Sequence, residues 1–105
     1  MDKLVATAVK RAHAVLSEYG FSEEQIDKLV KQGERDLRSE CEKLQQLMRT
    51  PPHDWERIDD VLHALKGLLM NMGDTETAEM FTSYRKQIDA GDTSFVDKLI
   101  QMLEA

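Results

Sequence analysis

The chain has 105 residues, with 14 Lys and Arg against 20 Asp and Glu and a formal net charge of −6. The acidic balance disfavours a nucleic-acid partner, whose phosphates demand a surplus of cations, and the single cysteine excludes an internal disulfide or a cysteine-based zinc cluster. No apolar run reaches the ~20 residues needed to cross a bilayer, and Met1-Asp2-Lys3-Leu4 lacks a signal peptide's apolar core, so the expectation is a cytosolic protein that leaves membranes alone. The length suits one domain, residues 1–105, large enough to bury roughly 60 to 70% of its unfolded surface.

In chain order, Val5, Ala8, Val9, Ala12, Val15, Leu16 and Tyr19 recur at helical spacing, and Gly20 follows where a C-terminal cap belongs. Phe21-Ser22-Glu23-Glu24-Gln25-Ile26 then combines a Ser/Gln capping box with a Phe21-to-Ile26 staple. The helix it starts carries Ile26, Val30, Gly33, Leu37, Cys41, Leu44 and Met48 on one stripe and runs to about Arg49. Gly33 within it either permits close approach by a neighbour or marks a bend, and close approach is the favoured expectation. Thr50-Pro51-Pro52-His53-Asp54 is a break, because proline removes a donor and disfavours helix before it. Beyond it, Trp55, Ile58, Leu62, Leu65, Leu69 and Met72 form the third stripe, stopped at Gly73-Asp74. A fourth helix over 75–90 buries Ala78, Phe81, Tyr84 or Arg85, and Ile88 and ends at Gly91. A fifth, from about Ser94, uses Phe95, Leu99, Ile100, Met102 and Leu103. The fold class is all-α: an antiparallel up-and-down four-helix bundle over 21–105 with an additional N-terminal helix over 1–20 covering one end or flank.

The third helix also carries a second column. At about 100° per residue, His63, Lys66, Gly67 and Met70 stand off the leucine stripe and present imidazole, ammonium and bare backbone on one face. His63-Ala64-Leu65-Lys66-Gly67 with Gly73 six residues on resembles the signature of histidine phosphotransfer domains in two-component phosphorelays. The match covers His, Lys and both glycines at their offsets.

The resemblance implies a phosphorelay intermediate. His63 would accept a phosphoryl group from the aspartyl phosphate of one receiver domain and pass it to another. Lys66 would neutralise charge on the phosphoryl oxygens, and Gly67 would clear the approach. The partners implied are receiver domains of hybrid histidine kinases and response regulators. Mg²⁺ is expected in the receiver, with no cofactor of the chain's own, no kinase activity and a monomeric state. A neutral imidazole nitrogen is nucleophilic near pH 7, and such transfer needs little beyond positioning and charge stabilisation.

Across the Gly73-Asp74 turn, antiparallel helices pair residues whose numbers sum to about 147, which sets Tyr84 and Arg85 level with His63. Family members commonly place Gln at this level. Arg85 departs from that and is expected to hold the phosphoryl group by charge-assisted hydrogen bonds. Leu68 and Leu69 depart too, where small residues are usual, and Leu68 with Met70 is expected to form an apolar rim for docking. Asp59 and Asp60, one turn before His63, either orient its ring or form a solvated acidic face. His13 and His53 are read as structural or solvated. The competing class is a noncatalytic helical adaptor in which the His-Lys-Gly face is accidental.

Overall fold

The computed structural model describes all 105 residues as five helices without strands: α1 (Asp2–Glu18), α2 (Glu23–Arg49), α3 (Trp55–Asn71), α4 (Thr75–Asp89) and α5 (Val96–Glu104). They form an elongated helical bundle of 46 × 22 × 20 Å, whose long axis the 27-residue α2 nearly spans. Helix α2 packs against α1, α3 and α5, and α3 packs against α4 as a hairpin. No helix is long and apolar enough to cross a membrane.

Local chemistry sets the ends of the helices. Ser22 Oγ accepts the Gln25 N–H while Gln25 Oε1 accepts the Ser22 N–H, the reciprocal capping box. Asp54 and Asp74 cap α3 and α4 by accepting the amides of Arg57 and Thr77. Gly73 adopts φ +85°, the left-handed conformation that reverses the chain between α3 and α4. Two boundary expectations shift. Phe21, read as the staple residue, is 41% exposed and stands outside the buried core. Helix α5 begins two residues later than expected, because the Asp92 carboxylate accepts the Ser94 amide and holds that residue in the turn.

One continuous core runs through the bundle. Ile58, Leu62, Leu65 and Leu69 of α3 are completely buried, together with Leu37, Cys41 and Leu44 of α2 and Phe81 of α4. Each fully buried leucine contributes roughly 1.5 to 3 kcal/mol relative to exposure, so the orientation of α3 about its axis is strongly fixed. At Gly33 an added Cβ would lie 3.1 Å from the Met72 side chain, which is the close approach its place in the stripe implied. At the far end Tyr84 stacks on Phe95 at 5.1 Å, and Phe95 meets Trp55 edge-on. Of the fourth stripe, Tyr84 rather than Arg85 is the buried member, while Ile88, Ile100 and Met102 stay half-buried.

Helix α1 is more than a surface cover. Leu4, Val5, Ala8 and Ala12 belong to the core, and Arg11 reaches the α3–α4 turn, where Nη1 donates to the buried Asp74 carboxylate at 2.5 Å and Nη2 to Glu76 at 3.0 Å. The small side chains of Ala8 and Ala12 allow that proximity.

Cys41 is fully buried, and burial pushes its thiol up to about 11. It is expected to resist thiol reagents at neutral pH until the chain unfolds. Because the folded value lies above the unfolded one, Cys41 favours folding below about pH 9, and that contribution is lost as pH rises toward 11. Reaction with a chromogenic disulfide, with and without urea, checks this; rapid modification of the native protein would contradict the burial.

Candidate functional site

The leucine stripe that seats α3 in the core also sets the direction of its other face. His63 stands exposed on that face one residue after the buried Leu62. Lys66 and Gly67 follow at the next turn, and Met70 at the one after. A Cβ built on Gly67 meets nothing within 4 Å, so the backbone beside the imidazole is open to solvent. Lys66 is half-buried and forms no ion pair, leaving its ammonium uncommitted.

Helix α4 supplies the site's other charged group, because the tight Gly73-Asp74 reversal brings Arg85 alongside α3. Arg85 Nη1 lies 2.7 Å from His63 Nδ1, while Nε and Nη2 donate to the two oxygens of Asp59 at 3.0 and 3.4 Å. The hydrogen bond that Arg85 donates to Asp59 raises the guanidinium above its ordinary range; the charges of Asp59, Asp89 and Asp60 add to this, and partial burial opposes it. About 70% of both the Arg85 and the Asp59 side chain is covered, given exposures of 30% and 28%. This is a semi-enclosed ion pair at the edge of an open face.

A guanidinium has only donors, so His63 Nδ1 must be the acceptor of this contact. In a neutral imidazole the proton then sits on Nε2, the ring nitrogen without a protein partner.

Of the four residues singled out from the sequence, His63, Lys66 and Gly67 share the open face of α3, and Arg85 touches His63 from α4. Asp59 and Asp60 divide: Asp59 grips Arg85, and Asp60 is exposed. The expected apolar rim loses Leu68. That side chain is half-buried and lines a groove of about 200 Å³ among α1, α2 and α3 with Leu16, Leu29 and Met72, which leaves Met70, 49% exposed, as the apolar residue on the histidine column. Leu68 precedes the buried Leu69 and borders the groove, a placement that periodicity alone does not fix. His13 is exposed on α1, and His53 Nε2 lies 3.2 Å from the Met48 carbonyl, with its ring edge-on to Trp55. No group of three or more His, Cys, Asp or Glu side chains is placed to hold a metal ion.

The sequence reading missed the Asp59 anchor as such. Its signal was the position four residues before His63, one turn away along the same face of α3 and within the reach of a long side chain at Arg85.

In comparisons with known proteins, no protein-family model, curated protein or solved structure matched the chain.

Proposed function

We propose that the chain is a histidine phosphotransfer protein that accepts a phosphoryl group on His63 from the aspartyl phosphate of a receiver domain and passes it to another receiver. On this reading α2 to α5 form the four-helix bundle, α1 is its additional N-terminal helix, and the protein is a cytosolic monomer. The observation that carries the reading is an exposed imidazole on a helix face, with Gly67 open beside it and a guanidinium in contact. A phosphoryl carrier that must dock against a second protein needs such a protruding nucleophile.

In the transfer step the lone pair of His63 Nε2 forms a bond to phosphorus. The phosphorus–oxygen bond to the donor carboxylate breaks, and its electron pair leaves with that carboxylate. This step requires the Nδ1–H tautomer, the reverse of the one that the Arg85 contact favours; the Nδ1 proton stays on the ring, which carries the positive charge gained on bonding. Lys66 and Arg85 are the cations available to the phosphoryl oxygens, and charge stabilisation of this kind is the main demand of the reaction. Mg²⁺ comes with the receiver, and reversal of the step returns the group to a second aspartate.

Incubation with a panel of phosphorylated receiver domains and Mg²⁺ tests the proposal, with acid-labile label on the protein as the expected result. ATP alone should leave the protein unlabelled. Absence of label across the panel would leave the chain as a helical adaptor.

Gly67 offers an independent check. Gly67→Ala fills open space on an exposed helix and should raise stability by about 0.5 to 1 kcal/mol. Gly67→Phe should also fold, yet slow acceptance from receivers at least about tenfold, the rate equivalent of 1.4 kcal/mol of lost docking. Urea melts and transfer rates separate the two effects; unimpaired transfer by Gly67→Phe would remove the access role.

A further inference from the structure

The contact between Arg85 and His63 has the wrong hydrogen-bond polarity for a nucleophile at rest. Nδ1 accepts from Arg85 Nη1 at 2.7 Å and is covered by it. Nε2 carries the ring proton and therefore lacks a free lone pair. Both nitrogens are masked at once. Asp59 keeps the guanidinium in place with two hydrogen bonds from the same helix that carries His63, so the arrangement does not depend on the relative sliding of α3 and α4 alone.

We propose that Arg85, anchored by Asp59, is a latch that holds unphosphorylated His63 as its non-nucleophilic Nε2–H tautomer and is released when an anionic phosphoryl group draws the guanidinium off Nδ1. Release lets the ring give its Nε2 proton to water and take one from water at Nδ1, with no net change in charge. The freed Nε2 lone pair then attacks phosphorus as described above, and Arg85 exchanges an imidazole nitrogen for phosphoryl oxygens, which are stronger acceptors. The nucleophile is thus exposed in the presence of its substrate and guarded against neutral electrophiles. Asp59 acts as a positioning residue through Arg85. The latch rests on the phosphotransfer reading for its purpose, while its existence can be measured on the protein alone.

Two measurements test it. In ¹⁵N-histidine-labelled protein at about pH 8.5, above the ordinary imidazole range, long-range ¹H–¹⁵N correlation should show wild-type His63 as the Nε2–H tautomer with an unprotonated Nδ1. Arg85→Lys, still only a donor, should preserve it. Arg85→Gln, whose carbonyl can accept, should shift His63 toward Nδ1–H, and Asp59→Asn should give an intermediate mixture.

The second measurement uses diethyl pyrocarbonate, a neutral electrophile that gains nothing from a cation's attraction for phosphate. Site-resolved mass spectrometry should show His63 reacting several-fold faster in Arg85→Gln than in wild type, with the exposed His13 unchanged as the internal reference. A wild-type Nδ1–H tautomer, or identical tautomers and identical His63 reactivity in wild type and Arg85→Gln, would overturn the latch. Neither measurement involves a receiver. Success here with no labelling by any receiver would count against the phosphorelay alone, and labelling with these results negative would count against the latch alone.

Discussion

His63→Gln is expected to abolish phosphoryl acceptance while leaving the fold intact. The side chain is exposed, and its hydrogen bond in the structure is to Arg85, which keeps its Asp59 partner when the imidazole is removed. Surface substitutions of this kind usually change stability by no more than about 0.5 kcal/mol. A glutamine amide can still contact Arg85 but has no ring nitrogen to bond to phosphorus. The loss should be complete, in contrast to the partial losses expected for Lys66→Ala and Arg85→Ala, which remove charge stabilisation and keep the nucleophile. Circular dichroism and urea melts of His63→Gln establish that the fold persists, and transfer assays on the same sample read the function. Residual labelling at the wild-type rate would mean that another residue carries the group.

The second large effect is on stability and concerns the turn that sets Arg85 level with His63. Gly73 has φ +85°, and a Cβ there would lie 2.8 to 2.9 Å from three atoms of the Val15 side chain. Gly73→Ala therefore adds the left-handed backbone penalty of about 1 to 2 kcal/mol to an overpacking cost of typically about 1 to 3 kcal/mol. Gly20 separates the two contributions, because it has nearly the same conformation, φ +81°, with nothing within 4 Å of an added Cβ. Gly20→Ala should cost only the backbone penalty. Denaturant midpoints of the two variants check this; equal losses would mean that Val15 yields without cost. Since Val15 lies on α1, the comparison also measures how firmly that helix is joined to the α3–α4 hairpin.

Much of the bundle follows from local rules that act within one helix. The stripe Ile58, Leu62, Leu65 and Leu69 specified both the existence of α3 and the side of it that is buried, and so also the side on which His63 stands free. Ser22 marked the start of α2 through its capping box, and Asp54 and Asp74, directly after the breaks at Pro51-Pro52 and Gly73, cap α3 and α4 by the same physics. The Arg85 contact followed from one further step, the short turn at Gly73, which fixes the register of two helices.

What did not follow depends on groups distant in the chain. The spacing of Ala8 and Ala12 shows that α1 is amphipathic but not that small side chains let it enter the core and bring Arg11 to Asp74. Leu68 sits at the boundary of a stripe, where a modest rotation decides between the histidine face and the groove among α1, α2 and α3. Asp59 and Asp60 are chemically identical neighbours, and only the reach of Arg85 across the hairpin distinguishes them.

The most direct test of phosphoryl carriage is a chase. The protein is labelled by a phosphorylated receiver, separated from it, mapped by mass spectrometry under conditions that preserve phosphohistidine, and then offered a second receiver with Mg²⁺. Phosphotransfer predicts one acid-labile modification, at His63, that leaves the protein as label appears on the second receiver. Failure of every receiver to label the protein, or label that resides on a residue other than His63, would contradict it.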